Sequence, residues 1–433
     1  MILQLIFVFV AIITGARLGG IGLGVTGGLG VAILTFVFEL EPTSPPIDVM
    51  LMIAAVIAAA SCMQAAGGLN YLVHLAERML RNHPSHITLL APLVTYTFTF
   101  LAGTGHVAYS VLPVIAEVAR ETHIRPERPL GIAVIASQQA ITASPISAAT
   151  VALLAMLSDS GITLFDILKI CIPATLIGVL VAALFSLKKG KELDKDPEYL
   201  HRLSKGEINN TPKTQSDIPQ GIFKARLSVI LFLLATILIV LFGSFPSLRP
   251  TFNENTLGMP ILIEILMLSA AALILLLTHT DGLKAAQGSI FSAGMQAVIA
   301  IFGIAWMGDT FINGNLNELT SSIQATVSQY PWLFGVALFG MSILLYSQAA
   351  TVRAVMPLGI ALGLPSMLLI ALFPAVNGYF FIPNYPTVVA AINFDRTGTT
   401  RIGKWVLNHS FMMPGLVSTF TALAVGLLLS HIL

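Results

Sequence analysis

The sequence predicts an all-α polytopic membrane protein built from two inverted repeats. Of its 433 residues, 56% are hydrophobic and 10% are charged, whereas a soluble domain carries about 25% charged residues. The mean hydropathy is +0.87, and several apolar runs exceed the roughly 18 residues of a membrane-spanning helix. One long basic stretch divides the chain into halves that repeat a single pattern of spans. We therefore predict a first repeat over 1–187, a cytoplasmic linker with little fixed structure over 188–226, and a second repeat over 227–433.

Each repeat is expected to contain about five transmembrane helices, a re-entrant hairpin and a broken helix. In the first repeat the simple spans are 3–16, 18–38, 49–73 and 165–187. The second of these contains a GxGxxG pattern, Gly22 to Gly27, but no βαβ context surrounds it. Small residues at such spacing instead favour close packing of helices in a bilayer.

The run 88–119 is apolar on both sides and is interrupted at its centre by Gly103-Thr104-Gly105-His106. Basic residues flank both of its ends: Arg78 and Arg81 before it, and Arg120, Arg125 and Arg128 after it. Positive loops stay on the cytoplasmic side, so the chain must enter and leave the membrane on the same side. Because two full crossings would need roughly 40 apolar residues, we predict a re-entrant hairpin whose tip lies inside the membrane. Irregular backbone is tolerated there where it lines a cavity or is buried in protein.

The next span, 131–157, is interrupted at residues 142–147. This segment contains Pro145, and a proline removes a helical hydrogen bond and kinks or breaks the helix. The sequence therefore predicts a broken helix directly after the first hairpin.

The second half repeats this order of elements upside down. Simple spans are expected over 227–242, 259–277, 291–311 and 406–429. A second hairpin, 332–362, has its tip at residues 347–351, and the span 364–392 is interrupted at 382–387. The TGTT run, 397–400, is expected to form a turn in a cytoplasmic loop.

Charge sets the orientation of these spans. The predicted topology places every Lys and Arg except Lys169, Arg249 and Arg353 on the cytoplasmic side, with both termini outside. The first residues lack a basic n-region and an Ala-x-Ala site, so we assign them to the first transmembrane helix. The two cysteines, Cys62 and Cys171, lie in apolar runs and are interpreted as small hydrophobic residues without metal spacing.

Four interrupted segments thus occupy matching positions in the two halves, which indicates a binding site near the bilayer midplane. Free N–H groups at half-helix N-termini, aided by the helix dipole, can hold carboxylates. The alternative interpretation is that these residues only satisfy the interrupted helix backbone. The candidate substrate-binding residues are Gly103, Thr104, Gly105, His106, Thr142, Ser144, Pro145, Ser347, Gln348, Thr351, Arg353, Pro383, Asn384, Tyr385 and Thr387.

Three ionisable residues near these segments have two interpretations each. Arg353 lies just past the second tip, where a cation costs roughly 3 kcal/mol or more. It is either a counter-charge for a substrate or a structural residue paired with Asp309 or Glu264. His106 either titrates in proton-coupled transport or is hydrogen-bonded structurally. Asp309 is either solvated or capping near a helix end, or it binds a coupling ion.

At these residues the sequence resembles the Dcu family of anaerobic C4-dicarboxylate transporters. The similar stretches are GARLGGIGLG (15–24), LAGTGHVAYSVLPVIAEVA (101–119), IRPERP (124–129), ITASPIS (141–147), GIAWMGDT (303–310), YSQAAT (346–351), FIPNYPT (381–387), FDRTGTTRIGK (394–404) and NHSF (408–411). Three of them, GTGHVAY, IRPERP and FDRTGTT, look more like the fumarate/succinate exchanger branch than its aspartate-preferring sister. Asn384 departs from the threonine expected in the family.

The resemblance implies a bacterial inner-membrane carrier that exchanges fumarate, malate or aspartate for succinate during anaerobic growth. It also implies the fold of a broad ion-transporter superfamily, with paired hairpins and an elevator-like movement. The partners expected are a C4-dicarboxylate and the lipid bilayer, with a homo-oligomer and a membrane sensor kinase as further alternatives. No cofactor is expected, and the net charge of +1 does not suggest nucleic acid.

Other functions are weighed against this one. A carrier of another anion, coupled to H⁺ or Na⁺, would share the same fold, and a transporter that also acts as a co-sensor stays open. A membrane-embedded enzyme is disfavoured, because no HExxH, GxSxG or DxxxD motif lies within a predicted span. The sequence therefore predicts a protein without enzymatic activity.

Overall fold

A computed structural model describes residues 1–18, 21–45, 47–206, 208, 221–252, 255–315, 318, 329–345, 347–383, 385–403 and 407–432. Within these ranges the chain is almost entirely helical, and the only strands are the short antiparallel pair Thr251–Phe252 and Asn255–Thr256. The helices of the first half are α1 (Ile2–Leu18), α2 (Gly22–Phe36), α3 (Ile47–Ala65), α4 (Gly68–Asn82), α5 (Ile87–Ala102), α6 (Ala108–Glu121), α7 (Glu127–Ala143), α8 (Ala148–Leu157), α9 (Leu164–Ser186) and α10 (Pro197–Ser204). Those of the second half are α11 (Ile222–Ser244), α12 (Met259–Thr278), α13 (Gly282–Ala286), α14 (Ser289–Gly314), α15 (Trp332–Leu345), α16 (Gln348–Ala361), α17 (Ser366–Leu372), α18 (Pro386–Phe394) and α19 (Met412–Ile432).

Seven of the described helical segments are long and apolar enough to cross a membrane, or eight if the bent pair α3–α4 forms one span. Further apolar helices, including α1, α2 and α15, are shorter. The predicted all-α polytopic membrane fold is therefore confirmed. The inverted relation of the two halves and the elevator-like movement remain predictions.

Helix α7 lies at the centre of the fold, and all of its 17 residues are buried. It packs against α5, α9 and α19, and its C-terminal half carries Ser137, Gln138 and Gln139. Polar side chains within a membrane protein are usually placed in the interior of the helix bundle and not against lipid. The burial of α7 therefore allows it to carry polar groups into the core.

The glycine-rich helix α2 packs closely on α14, as the spacing of its small residues predicts. A Cβ atom on Gly27 would collide with the backbone of Gly303, and one on Gly24 would collide with Ile299. Gly28, on the same helix, has open space where a Cβ atom would lie. The GxGxxG pattern therefore contributes to a helix–helix contact of the small-residue type.

The predicted third span, 49–73, is not one continuous helix. Helix α3 ends at Ala65, and the chain bends by 69° into α4. Gly67 lies at this bend with a φ of 86°, a conformation that glycine adopts without steric cost. Helix α4 carries Glu77, Arg78 and Arg81 in its second half, so it is more polar than the part of the chain where the prediction continued the span.

Each predicted hairpin contains two helices, and both predicted broken helices are broken. The helices α6, α15 and α16 have 14 residues each, fewer than the roughly 20 of a full span. Helix α5 has 16 residues and, with the 3₁₀ turn before it, forms a 19-residue segment that is long enough to cross. The first broken helix stops at Ala143 and resumes at Ala148. The second is irregular over a longer stretch than predicted, because a 3₁₀ segment, Phe373–Phe380, lies between α17 and the turn before α18. The membrane side from which each hairpin enters stays a prediction.

The predicted linker, 188–226, has more fixed structure than its composition suggested. It contains the 3₁₀ turn Leu193–Lys195 and the helix α10. Arg125, in the loop between α6 and α7, binds this linker by donating a hydrogen bond from Nη1 to Asp196 at 2.5 Å. Its Nε donates to Glu127, at the start of α7, at 2.6 Å. Burial raises the pKa of Asp196, but its hydrogen bonds with Arg125 and with backbone amides outweigh burial and hold that pKa below its usual value. Residues 207 and 209–220 of the linker lie outside the described residues.

The predicted last span, 406–429, begins too early, since α19 starts at Met412. After α18, a turn forms around Asp395, whose carboxylate accepts hydrogen bonds from the hydroxyls of Thr397 at 2.5 Å and Thr399 at 2.8 Å. Thr399 in turn accepts a hydrogen bond from the backbone N–H of Glu127 at 3.2 Å. The expected turn at TGTT is present, held by its hydrogen bonds to Asp395, and its cytoplasmic location stays a prediction.

Candidate functional site

The tip of the first hairpin packs on the break of the first broken helix. Gly103 ends α5 with a φ of 68°, and a Cβ atom there would lie 2.9 Å from the carbonyl oxygen of Ile146. Gly103 and Thr104 line a small cavity of about 90 Å³ together with Ile146 and Ala148. A Cβ atom on Gly105 would lie 3.3 Å from the side chain of Ile141. These two predicted segments therefore form one unit.

Hydroxyl groups in the first break satisfy the interrupted backbone. Ser144 donates a hydrogen bond to the carbonyl of Phe100 at 2.6 Å. Ser147 donates to the carbonyl of Ile141 at 2.6 Å and accepts from the N–H of Thr150 at 3.1 Å, which caps α8. Pro145, between them, is buried. For Ser144 this hydrogen bond favours the structural interpretation that the sequence left open.

The tip of the second hairpin uses its polar residues in two ways. Ser347 caps α16 by accepting from the N–H of Ala350 at 3.2 Å, and the Thr351 hydroxyl donates back to the Ser347 carbonyl at 2.8 Å. Gln348 instead points into the core, where its Nε2 donates to Asn377 Oδ1 at 3.1 Å and to the hydroxyl of Tyr379. Gln348 therefore joins this tip to the second broken helix.

Asn377 connects the broken helices of the two halves. Its Nδ2 donates to Gln139 Oε1 at 3.1 Å and to Thr142 Oγ1 at 3.3 Å. Gln139 continues the chain of hydrogen bonds by donating from Nε2 to Thr419 on α19 at 3.0 Å. We call Gln348, Asn377, Gln139, Thr142 and Thr419 the amide chain. All five side chains are buried, so the chain forms a polar layer inside an apolar core.

The sequence identified Gln348 and Thr142 but missed the residues between them. Gln138, Gln139, Asn377, Tyr379 and Thr419 belong to this layer and were not predicted. A polar amide side chain inside an apolar segment of a membrane protein often marks a functional position. Asn377, within the predicted span 364–392, could have been identified in this way. The contacts across more than 200 residues, however, can be found only in the tertiary structure.

The side-chain amide of Gln138 is buried, 1% exposed, and neither its nitrogen nor its oxygen has a partner among the described residues. Gln138 adjoins the amide chain, since its backbone carbonyl accepts a hydrogen bond from Gln348 at 3.4 Å. The hydroxyl of Thr387, in the second break, is likewise buried without a described partner. An unsatisfied buried polar group costs about 1–3 kcal/mol, and such groups are rare enough to need an explanation. Groups that hydrogen-bond a transported ligand would provide one.

The second break contributes aromatic and proline residues. The ring of Tyr385 lies 4.3 Å from that of Tyr379 between centroids, and Pro383 is buried beside it. Two predicted site residues cannot be placed in full, because Asn384 and the side chain of His106 lie outside the described residues. The structure thus brings together parts of all four predicted segments around the C-terminal end of α7.

Replacing Asn377 by leucine is expected to lower the free energy of unfolding by about 2–4 kcal/mol, because Gln348, Gln139 and Thr142 would lose a buried partner. Thermal unfolding in detergent measures this change. The control is Asn393→Leu, since Asn393 is exposed on α18. A double-mutant cycle with Gln348→Leu should show strong coupling, and additive effects would contradict the amide chain.

A cavity of about 780 Å³ reaches the second hairpin. Its rim consists of Pro45, Ile47 and Asp48, of Ser158 and residues 161–164, and of Arg249 and residues 258–260, and one wall is α8. The charge pattern of the sequence predicts that all three rim segments lie on the outer side of the membrane. Arg353, one turn past the second tip, lines the same cavity. We call this space the outer cavity.

Arg353 is half-buried, and its Nε atom is buried without a hydrogen-bond partner in the described part of the chain. Asp309 and Asp48 are close enough to attract it electrostatically. Among the described residues, however, neither Asp309 nor Glu264 forms an ion pair with it. Its guanidinium can therefore donate hydrogen bonds to an anion in the outer cavity.

Comparison with known proteins gives a consistent result over the whole chain. A family described as "Anaerobic c4-dicarboxylate membrane transporter" matches residues 1–433. The C4-dicarboxylate transporter DcuA of Wolinella succinogenes is 44% identical over 434 residues, covering 100% of both chains. The anaerobic C4-dicarboxylate transporter DcuB of Escherichia coli O157:H7 is 41% identical over 98% of this chain and 97% of its own. DcuA of Escherichia coli K12 is 44% identical over 99% of both chains.

Proposed function

Since this chain belongs to the family of anaerobic C4-dicarboxylate membrane transporters, we propose that it exchanges C4-dicarboxylates across the bacterial inner membrane. It takes in fumarate, malate or aspartate and releases succinate. Both termini lie on the periplasmic side in this proposal. The protein acts as a carrier and performs no chemical step on its substrate.

One observation carries the proposal: Arg353, just past the tip of the second hairpin, lines the outer cavity, and its buried Nε has no hydrogen-bond partner among the described residues. A dicarboxylate has two negative charges, and moving an unpaired ion into low dielectric costs many kcal/mol. Arg353 supplies one opposite charge. The N-terminus of α16, which begins at Gln348, adds free N–H groups and the positive end of a helix dipole.

The neutral amide chain suits a carrier better than a second set of charges at the same place would. Hydrogen bonds from amides replace part of the water around a carboxylate but bind it less tightly than an ion pair does. The side-chain amide of Gln138 and the hydroxyl of Thr387, both buried without a partner among the described residues, are free to form such bonds. A substrate held in this way can still leave on the other side.

Relatives named DcuA and DcuB are similarly close to this chain, at 44% and 41% identity, so overall similarity supports both branches. The stretches GTGHVAY, IRPERP and FDRTGTT support the fumarate/succinate branch. We therefore propose fumarate as the preferred external substrate and succinate as the preferred internal one.

Counterflow in proteoliposomes tests the proposal. Vesicles that contain the purified protein and internal succinate are expected to accumulate labelled fumarate, whereas empty vesicles are not. Protein-free vesicles are the control. The same assay is repeated with an imposed proton or sodium gradient.

If uptake requires an imposed ion gradient but does not require internal succinate, the protein is an ion-coupled symporter and not an exchanger. An absence of uptake by demonstrably folded protein would contradict dicarboxylate exchange and favour another anion.

A co-sensor role is a separate alternative. In that case, deleting this protein would abolish the response of a membrane sensor kinase to dicarboxylate. An unchanged response would exclude the co-sensor role.

A further inference from the structure

Arg249 lines the outer cavity together with Arg353. It follows α11, in a loop that the charge pattern places outside, and it is half-buried. The third cation predicted on this side, Lys169, is paired with Asp166 at 2.9 Å. Within the described ranges Arg249 has no carboxylate partner. The outer cavity thus contains two arginines that are not paired with acidic side chains of the described chain.

The guanidinium of Arg249 is held in position by its own segment. Its Nε donates a hydrogen bond to the carbonyl of Phe242 at 2.8 Å, and the described residues accept no hydrogen bond from its two Nη groups. A guanidinium offers a planar pair of donors that matches a carboxylate. Arg249 is therefore oriented in advance, with donors left for an anion.

We propose that Arg249 is an anion-binding residue of the outer face, which captures one carboxylate of an external dicarboxylate in the outer cavity before the substrate reaches Arg353. This inference rests on the proposed function and adds a residue to its site. Two cations within one cavity raise the local concentration of a dianion. Asp48, exposed in the same cavity and attracted to Arg353, reduces the net charge and keeps this first binding step weak.

The position of Arg249 at the rim makes its contribution one-sided. The loop that carries it borders the cavity on the outer side only, and the described residues of the predicted cytoplasmic loops do not line that cavity. Loss of Arg249 should therefore weaken binding from outside and leave binding from inside unchanged. A residue at the central site, such as Arg353, should affect both directions.

The experiment compares fumarate counterflow in right-side-out and inside-out membrane vesicles that contain wild-type protein or Arg249→Gln. We expect the KM for external fumarate to rise about tenfold, because a hydrogen bond to a charged group contributes about that factor to binding. The maximal rate and the KM measured from the cytoplasmic face should not change. Arg249→Lys should restore most of the external affinity, and Lys169→Gln, which removes an outer charge away from the cavity, should behave as wild type.

If Arg249→Gln changes the KM for fumarate equally on both faces, or on neither, the proposed role of Arg249 is wrong. The proposed exchange function is not affected by that result, because it depends on the wild-type protein. If wild-type vesicles do not exchange dicarboxylates, the proposed function fails and this inference fails with it. A second measurement needs no variant: rising salt should raise the external KM of the wild type more than the internal KM, since exposed charges are screened. An identical salt dependence on both faces would also overturn the inference, even if Arg249→Gln does not fold.

Discussion

Replacing Arg353 by glutamine is expected to lower the efficiency of dicarboxylate exchange by at least about 30-fold, because truncating one partner of a charged hydrogen-bonded pair costs about 2–5 kcal/mol. Arg353 is expected to be that partner because it lines the outer cavity and its buried Nε has no hydrogen-bond partner among the described residues. Counterflow of labelled fumarate into succinate-loaded proteoliposomes measures the loss.

Thermal unfolding of the same variant separates a binding role from a structural one. A cation that is half-buried and unpaired destabilises the free protein, so Arg353→Gln is expected to unfold at the same or a higher temperature than wild type. If Arg353 instead formed a structural ion pair, the variant would unfold at a lower temperature than wild type. Lys284→Gln, at an exposed position on α13, is the matched control and should change neither quantity. A lower unfolding temperature together with a proportional loss of exchange would reduce Arg353 to a structural residue.

Replacing Gly27 by leucine is expected to prevent correct folding, at a cost of about 3 kcal/mol or more. Even a Cβ atom at this position would collide with the backbone of Gly303 on α14, and a backbone cannot move aside as a flexible side chain can. Overpacking of a well-packed core typically costs about 1–3 kcal/mol, and occasionally more. Size-exclusion chromatography and thermal unfolding in detergent measure the folded fraction and its stability.

The neighbouring glycine provides the control for this experiment. Gly28→Leu adds the same side chain to the same helix, one residue further on, where a Cβ atom has open space. It should leave folding within about 0.5 kcal/mol of wild type, as is usual for substitutions away from special sites. Equal damage from both substitutions would show that α2 does not depend on close packing against α14.

The site was predictable where an interruption is visible in the local sequence. Glycines, prolines and hydroxyl residues within apolar runs identified both hairpin tips and both breaks, because such residues end helices through their own backbone preferences. Asn377 and Gln139 were missed, since their importance depends on a hydrogen bond between residues that are 238 positions apart. Arg249 was also missed as a site residue, because its loop and the second hairpin line one cavity only after folding.

The sequence by itself determined the class of the protein and its family, and it predicts a division at the basic stretch. These properties depend on composition, on helix-breaking residues and on long shared motifs, all of which can be read along the chain. Only the tertiary structure decided that the predicted third span bends after Ala65, that the first part of the linker is held by Arg125, and that Gln348 reaches Asn377. Each of these depends on contacts between residues far apart in sequence, and the energy of such contacts exists only once the helices are packed.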